Sequence, residues 1–427
     1  MKLLQDLEQR QRDGRPITVA VVGAGQMGRG LVNGLAEIVG MEARMVVDID
    51  LVRARQALVT AGVAESRIEE CDNSSAAAKA LADGRWVVSR HSRAIPETGV
   101  DAVVEATGVP SVGAAVALET IRRRQHLVLL NVETDVTVGP LLRHWAELAG
   151  VVYTVSAGDE PGATVDLIGF ARSLGFHVVA AGKGKNNPLD FYATPASVAD
   201  EAASKGASAH MFCSFVDGSK TMMEMTAVAN AAGLTPELPG MRGPHLTADE
   251  LADYYRLRDQ GGQLERSGVV DYVHGIAPGV FVVVTTTNPV IAEDMEYLKV
   301  GPGPNWALYR PYHLANLETP HSVARAVLYG EATLQPLDHR YAEVVAVAKQ
   351  DLPAGSCLDG IGGYTVRGLI MAAEDAARDG TVPLGLAEHA VVRSPVGRGA
   401  VLAADQVELD RTQLIVQLRQ LQEWWLA

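Results

Sequence analysis

The segment Val22-Gly-Ala-Gly-Gln-Met-Gly28 constrains the fold of this chain more than any other feature. It follows an apolar, β-branched run, 17–22, that predicts a buried strand, and it opens a stretch of helical periodicity, 26–39. Glycines at this spacing allow a tight turn, close approach of the backbone to a pyrophosphate, and close packing of the helix on the strand. The pattern therefore predicts the start of a dinucleotide-binding domain.

The alternation of strands and helices continues to about residue 155. Strands are predicted at 43–48, 102–105, 127–131 and 151–155, and helices at 51–61, 110–124 and 138–149. Successive parallel strands need right-handed crossovers, and their sheet is covered by helices on both faces. The sequence predicts an α/β fold that begins with a doubly wound parallel sheet of the Rossmann type.

Changes in composition divide the rest of the chain. From residue 158, Gly, Asn, Pro and Lys cluster between longer segments, and after residue 345 short runs punctuated by Gly and Pro indicate a small β-rich module. We expect four parts. They are an NAD(P)-binding Rossmann domain at 1–157, an α+β catalytic and oligomerisation domain at 158–345, a β-rich module at 346–409 and a C-terminal helix at 410–427.

Composition excludes several classes of function. The chain has 51 acidic and 37 basic residues and a net charge of −14, which repels a phosphate backbone, so we expect no nucleic-acid partner. No apolar run is long enough to span a bilayer, and the first residues lack an apolar signal core, so we expect a cytoplasmic protein without membrane contact. Three distant cysteines argue against a disulfide framework and a cysteine zinc site.

Candidate cofactor residues follow the ends of the predicted strands. Asp48 ends the second strand, where a carboxylate can accept hydrogen bonds from both ribose hydroxyls of an adenosine. Its charge favours NAD, whereas Arg53 and Arg55 leave NADP open, so the choice of NAD(P)H form is undecided. The candidates are Gly23, Gly25, Gln26, Met27, Gly28, Asp48, Arg53, Thr107, Gly108 and Asn131, the last three on the nicotinamide side.

Lysine is rare in this chain, with eight lysines among the 37 basic residues. Where arginine is otherwise used, a retained lysine indicates a need for a compact ammonium or a movable proton. Lys183 and Lys185 lie in Gly182-Lys-Gly-Lys-Asn-Asn-Pro188. This segment is too glycine-rich to predict a regular element, and it predicts a loop that closes on an anionic or polyhydroxylated substrate.

A second segment, 214–225, carries Lys220 between Asp217 and Glu224. In a helix, Lys220 and Glu224 lie on one face, where the lysine would stabilise a forming alkoxide and the carboxylate would hold the lysine. The alternative is a surface ion pair. The catalytic candidates are Lys183, Lys185, Asp217, Lys220 and Glu224, and the substrate-binding candidates are Asn186, Asn187, Ser214 and Ser219.

A divalent cation is a further candidate. Four carboxylates, of Asp159, Glu160, Asp217 and Glu224, offer the oxygen ligands that Mg²⁺ or Mn²⁺ takes. No close metal-ligand spacing is present, so the metal ligands are left unassigned.

These motifs resemble the homoserine-dehydrogenase-like NAD(P)-dependent oxidoreductases that carry a C-terminal SAF module. The resemblance covers nearly the whole chain, and it implies that 346–409, with Leu384-Gly-Leu-Ala-Glu388, is the SAF module. The motifs are the glycine fingerprint, Ser156-Ala-Gly-Asp-Glu-Pro-Gly162, the Gly182–Pro188 segment, Phe215-Val-Asp-Gly-Ser-Lys220 with Glu224-Met and Ala229-Asn-Ala231, and Pro239-Gly-Met241.

The best understood branch of that family is the DXR-like 1-deoxy-D-xylulose 5-phosphate reductoisomerase of isoprenoid biosynthesis. This branch implies an NADPH-dependent rearrangement and reduction to 2-C-methyl-D-erythritol 4-phosphate that uses a divalent cation. It also implies that residues 183–187 and Lys220 contact the phosphate and the polyol of the substrate. Asp217 or Glu224 would then act as an acid–base group or as a metal ligand. Two departures stand out: Val132 replaces the lysine that follows Asn131 in homoserine dehydrogenases, and Asp48 does not suit NADP.

We therefore predict an NAD(P)-dependent oxidoreductase of a small polyhydroxylated substrate, with or without a phosphate, and a reductoisomerase as its specific form. The alternatives are a homoserine-dehydrogenase-like dehydrogenase or oxidoisomerase of a sugar acid or amino acid precursor, and a non-catalytic NAD(P)-binding sensor. We expect a homodimer or homotetramer, because family members pair through the second domain and the apolar run 222–228 suits an interface.

Overall fold

The computed structural model describes residues 2–426. The chain forms two compact units, and each is built from separate stretches of sequence. Unit 1 contains the described residues up to Asp159, Leu314–Gln335 and those from Gln413 onwards, and unit 2 contains Glu160–His313 and Pro336–Thr412. The four-part division expected from the sequence stays a prediction.

The strands and helices are numbered in chain order. The strands are β1 Ile17–Val22, β2 Met41–Val47, β3 Ile68–Glu70, β4 Trp86–Ser89, β5 Ala102–Glu105, β6 His126–Leu129, β7 Tyr153–Val155, β8 His177–Lys185, β9 Thr235–Pro236, β10 Val269–His274, β11 Val280–Thr285, β12 Asn305–Arg310, β13 Ala342–Ala348, β14 Val366–Ala372, β15 Val391–Val392 and β16 Val407–Glu408. The α-helices are α1 Lys2–Arg12, α2 Gln26–Ala36, α3 Leu51–Thr60, α4 Ser74–Ala82, α5 Pro110–Arg122, α6 Val132–Ala149, α7 Glu160–Ser173, α8 Ala199–Ser204, α9 Ala209–Val216, α10 Ser219–Ala232, α11 Leu251–Tyr254, α12 Pro289–Tyr297, α13 Ala315–Tyr329, α14 Ala373–Arg378 and α15 Leu414–Leu426.

Unit 1 is built on a seven-stranded parallel sheet with the order β3-β4-β2-β1-β5-β6-β7. The central strands are apolar and buried on both faces, as parallel sheets covered by helices require. The strand order reverses between β1 and β5, and in such sheets ligands bind at the carboxyl ends of the strands beside this reversal. The predicted α/β fold of the Rossmann type is therefore confirmed.

Helix α6 contains Pro140, whose missing N–H interrupts the backbone hydrogen bonds of a helix interior. Side chains of the C-terminal helix α15 bind backbone groups of α6 before and after Pro140. The N–H of Leu141 donates to Gln422 Oε1 at 3.1 Å, and Arg419 Nη1 donates to the carbonyl of Thr137 at 3.0 Å. These bonds hold the predicted C-terminal helix against α6 within unit 1.

Unit 2 is built on a mixed five-stranded sheet with the order β12-β11-β8-β10-β9. Strand β8 lies in the middle, parallel to β10 and antiparallel to β11. One face packs apolar residues against Leu251, Tyr255 and Leu264, and the other face packs against α7 and α10. Because side chains alternate along a strand, Lys183 and Lys185 lie on the same face of β8.

The loop predicted for 182–188 is wrong over its first half, because Gly182–Lys185 forms the end of β8. The glycines are needed by the packing of the strand. A Cβ on Gly182 would lie 1.7 Å from the carbonyl oxygen of Asp271, and one on Gly184 would lie 2.4 Å from the nitrogen of Ala277. The glycine-rich composition thus reflects close backbone approach in a buried strand rather than flexibility.

The segment after residue 335 contains four strands, and the β-rich module expected at 346–409 lies within it. Strands β13 and β14 pair antiparallel along seven residues, and β15 pairs with β16. The β13–β14 pair packs against α10. The identification of this segment as a SAF module stays a prediction.

The run 222–228 on α10 is buried within the single chain, with Met222, Met223 and Met225 fully covered. It is therefore not available as the oligomer interface that the sequence suggested, and the expected homo-oligomer stays a prediction without that support. Among residues 2–426, no helix combines the length and the apolar character needed to cross a bilayer.

Candidate functional site

The glycine loop of unit 1 lies between β1 and α2. Gly23 has φ of +96°, and a Cβ there would lie 2.9 Å from the carbonyl carbon of Ala106. A Cβ on Gly28 would lie 1.8 Å from the carbonyl oxygen of Gly23. Both positions therefore require glycine for the loop itself.

Gly25 differs, because no heavy atom lies within 4 Å of the place where its Cβ would be. It is the N-cap of α2 and offers no side chain to the first N–H groups, and the first turn of α2 contains no acidic residue. Gln26 and Met27 are exposed beside it. A bare helix N-terminus with open space in front fits an anionic pyrophosphate.

Asp48 directly follows β2, beside the glycine loop. Its Oδ2 accepts a hydrogen bond from the N–H of Ala24 at 2.6 Å, and its Oδ1 accepts one from the N–H of Asp50 at 2.8 Å. Each carboxylate oxygen has a further lone pair, so Asp48 can stabilise the loop and still accept a hydrogen bond from a ribose hydroxyl.

Two arginines lie near Asp48. Arg53, predicted as a cofactor residue, pairs with Asp50, with Nε 3.3 Å from Oδ2, at the first turn of α3. Arg90, which the sequence reasoning missed, donates from Nη1 to the carbonyl of Ile49 at 2.7 Å. Arg90 follows the short strand β4, which was not predicted, so no sequence signal connected it to residue 48.

Thr107, Gly108 and Asn131 lie at the carboxyl ends of β5 and β6, on the side expected for a nicotinamide. The structure joins two of them through Glu105, which is fully buried and accepts hydrogen bonds from the N–H of Thr107 at 2.9 Å and from its hydroxyl. Burial raises the pKa of Glu105 to about 7, against the hydrogen bonds from Thr107 and Asn131. Glu105 was not among the predicted residues.

Unit 2 contains a cluster of charged side chains around Lys183. Its Nζ lies 2.6 Å from Glu160 Oε1 and also forms a close ion pair with Glu224 Oε2. The Lys183 side chain is only 6 % exposed. Burial opposes its charge, but the two carboxylates outweigh burial and raise the pKa of Lys183, which therefore stays protonated.

The predicted partner of Glu224 was Lys220, one helical turn earlier. The structure instead pairs Glu224 with Lys183, while Lys220 is buried close enough to stabilise the Glu224 carboxylate electrostatically. Burial and the charge of Glu160 raise the pKa of Glu224. Glu160, which the sequence suggested only as a metal ligand, is thus a member of this cluster. His313 Nε2 lies 3.6 Å from Glu160 Oε1.

Lys185 is the second buried lysine on this face. Its Nζ donates to the carbonyl of Phe215 at 2.8 Å, and burial together with the charge of Lys183 lowers its pKa to about 8. On β10, His274 is the register partner of Lys185 and stacks on His245 at a centroid distance of 4.4 Å. Burial and the charges of His245 and Lys185 lower the pKa of His274.

Asp217 lies apart from the Lys183 cluster's ion pairs. It is fully buried, with Oδ2 2.6 Å from Lys349 Nζ, and its Oδ1 accepts a hydrogen bond from the N–H of Ser219. Lys349 also donates to the carbonyls of Ala193 and Gly363. The structure therefore gives Asp217 a structural partner 132 positions away, and its catalytic role stays a prediction.

The four predicted substrate-binding residues are placed in different environments. Ser214 and Ser219 are buried, and their hydroxyls bond the backbone of Met211 and Gly368. Asn186 is exposed and Asn187 is half-buried, directly after β8. The two asparagines are thus open to a ligand, whereas the two serines serve the packing of α9 and α10.

The carboxylates of unit 2 that were suggested as cation ligands are already bound by ammonium groups. Lys183 lies between Glu160 and Glu224, and Lys349 binds Asp217. An ammonium in this place supplies the charge that a cation would supply. Each of these three carboxylates therefore already has a cationic partner, and the expected divalent cation stays a prediction.

Comparison with known protein families gives a match over part of this chain. Residues 158–319 match the model of the family described as oxidoreductase DRL, catalytic domain. This match confirms the predicted class of the enzyme, an oxidoreductase. No curated protein matches the chain.

Solved structures give distant likenesses. They include a protein described as a probable dehydrogenase from Thermotoga maritima (13 % identity, 74 % of this chain, 90 % of that chain, TM-score 0.43), myo-inositol 2-dehydrogenase from Lactobacillus plantarum (13 %, 74 %, 91 %, 0.39) and GenD2 from gentamicin A biosynthesis in complex with NAD (15 %, 76 %, 89 %, 0.37).

Asp217→Asn should destabilise the protein strongly, because it leaves the ammonium of Lys349 buried without its counter-charge. We expect a loss of about 3 to 5 kcal/mol in the free energy of unfolding, measured by urea denaturation. Asp375→Asn, which removes an exposed carboxylate beside Arg378, is the matched control and should change stability little. Equal losses in the two variants would show that the Asp217–Lys349 pair has no special role.

Proposed function

We propose that this chain is an NAD(P)-dependent oxidoreductase that interconverts an alcohol and a carbonyl in a small polyhydroxylated substrate. The observation that carries the proposal is the pair of buried lysines on one face of β8, one held protonated and one with a pKa of about 8. Two groups of one type whose environments separate their pKa values are typical of an acid–base site. The family match to an oxidoreductase catalytic domain supports the same class.

Unit 1 supplies the binding of the dinucleotide in this proposal. The glycine loop and the bare N-terminus of α2 would hold the pyrophosphate, and Asp48 would accept from the ribose of the adenosine half. A bound nicotinamide donates or accepts the hydride. Asp48 favours NAD, while Arg90 and Arg53, which contact Ile49 and Asp50 just after it, would attract a 2′-phosphate, so both cofactors belong in the assay.

Unit 2 supplies the proton and the charge. Lys183 has one N–H beyond those that meet Glu160 and Glu224, and this N–H would donate to the substrate oxygen and stabilise negative charge on it. Lys185 would exchange the proton of that oxygen, since both of its protonation states are populated near neutral pH.

The finer proposal concerns the substrate. The reductoisomerase reaction of 1-deoxy-D-xylulose 5-phosphate rests on the family resemblance, and it is the first reaction to assay. Homoserine and sugar acids follow, because the lysine cluster would serve any carbonyl beside hydroxyl groups. Turnover of the cofactor with any of these substrates would exclude a non-catalytic sensor.

Gly25→Ala should separate cofactor binding from folding. The added methyl enters open space in the protein, so the melting temperature should change little, but it would occupy the place of the pyrophosphate. We expect NADH and NADPH binding, measured by fluorescence titration, to weaken by about tenfold or more. Gly34→Ala, on the same helix with only Leu317 at 3.9 Å, is the control that keeps binding. Unchanged affinity in Gly25→Ala would refute the pyrophosphate site.

Lys185 should determine the pH dependence of turnover. Reduction needs a protonated Lys185, so kcat should fall as the pH rises through about 8, whereas oxidation needs the neutral amine and its kcat should rise over the same range. The measurement is absorbance at 340 nm in both directions. Lys185→Met should lower kcat by about 100-fold and remove this pH dependence, while Lys205→Met, at an exposed pair with Glu201, should not. A wild-type pH profile retained in Lys185→Met would exclude the assigned role.

A further inference from the structure

Arg367 lies on β14, in the segment that packs against α10, and only 8 % of its surface is exposed. Its guanidinium lies over the ring of Phe191, with Cζ 4.3 Å from the ring centroid. Nη1 donates to the carbonyl of Gly368 at 3.2 Å, and no described residue accepts a hydrogen bond from Nε. Of its five N–H donors, one is thus used by the protein.

No carboxylate among residues 2–426 forms an ion pair with Arg367. The carboxylate that acts on it from nearby is Asp217, whose charge partly offsets the effect of burial on the pKa of Arg367. Both oxygens of Asp217 are bound elsewhere, Oδ2 to Lys349 and Oδ1 to the N–H of Ser219. Arg367 therefore carries a buried charge without a directly bonded counter-charge.

Three other buried cations have carboxylate partners: Lys183 has two, Lys349 has Asp217, and Arg419 pairs with Glu423 at 2.5 Å. Lys185 is buried without a carboxylate bond, and it belongs to the proposed site itself. A buried charge that lacks a partner is costly, and such groups in proteins are paired or bind a ligand. The unused, forked donors of an arginine match the oxygens of a carboxylate or phosphate.

The surroundings connect Arg367 to the lysine cluster. Asp217 acts electrostatically on both Arg367 and Lys185, and Lys185 Nζ bonds the carbonyl of Phe215, two residues before Asp217. Phe191, the ring under the guanidinium, lies five residues after Asn186 in the segment that follows β8. A Cβ on Gly218 would lie 3.7 Å from that ring, so the segment also contacts the start of α10, where Lys220 lies.

We propose that Arg367 binds an oxyanion of the substrate, a carboxylate or a phosphate group, whose hydroxyl or carbonyl carbon reacts at the lysine cluster. This assignment rests on the proposed function and adds a charged recognition element contributed by the segment after residue 335. The substrate is then an anionic polyhydroxylated molecule. The carboxylate and the phosphate share this recognition chemistry and are separated by experiment.

The test measures the melting temperature of the full-length protein against inorganic phosphate and, separately, acetate, at constant ionic strength. We expect one of the two anions to raise the melting temperature of the wild type, and the anion that does so identifies the group. In Arg367→Met, the concentration that gives half of the increase should rise by about tenfold or more, because a charge-assisted hydrogen bond is lost. Arg378→Met, at an exposed arginine of α14, is the control and should behave as the wild type.

Arg367→Lys keeps the charge but not the forked donors, so its anion response should be intermediate. This variant also keeps the test possible if Arg367→Met does not fold. NADH affinity, measured on the same samples, should be unchanged in both variants. A wild type that responds to neither anion, or an equal response in wild type and Arg367→Met, would overturn the assignment. Loss of the anion response with intact NADH binding supports it even if no dehydrogenase substrate is found, so the two proposals fail separately.

Discussion

The ion pairs of Lys183 join three elements of unit 2 at one point. Glu160 is the first residue of α7, Glu224 lies on α10 and Lys183 lies on the central strand β8. A single buried ammonium would be costly, and a single buried carboxylate pair would repel, so each group needs the others to remain charged. The packing of both helices on the sheet therefore depends on the same charges that we propose for the reaction.

The same interaction controls the second lysine. Because Lys183 remains protonated, its positive charge adds to burial in lowering the pKa of Lys185 to about 8. Two residues apart on one face of a strand, the lysines share surroundings but have different pKa values. A strand is well suited to this, since its rigid alternation fixes the separation of the two groups in a way that a loop does not.

A structural feature can be predicted from the sequence when the residues that require it lie close together in the chain. The first strand, glycine loop and helix were predictable, because the positive φ of Gly23 and the contact of Gly28 with the carbonyl oxygen of Gly23 arise within one turn. The end of β8 was misassigned as a loop, because its glycines are required by Asp271 and Ala277, about 90 residues later. Composition alone does not distinguish a glycine that gives flexibility from one that permits close packing.

The ion-pair partners of the predicted charged residues could not be predicted from the sequence either. Glu224 was assigned to Lys220 by helical spacing, but the structure pairs it with Lys183 across the α10–β8 packing. Lys349 bonds Asp217 across more than a hundred residues, and no periodicity connects the two. Ion pairs between elements depend on tertiary packing, so the residue types of the site were predictable while most of its pairs were not.

The contacts of α10 explain why the segment after residue 335 belongs to the description of the site. This segment binds α10 near both ends: the N–H of Gly368 donates to Ser219 Oγ at 2.8 Å, and Asn230 Oδ1 accepts from the N–H of Ala342 at 3.0 Å. Lys349 adds a third contact to Asp217, just before the helix.

Lys220 and Glu224 lie between these contacts, on a helix that is buried along its length. Their positions are therefore set from the far side of the helix as well as by the sheet. A segment that only flanked the catalytic domain would not need a buried ion pair at this place, because an isolated apolar contact of similar volume is at least as stabilising. We therefore propose that the buried charges of Lys349 and Arg367 serve the proposed site.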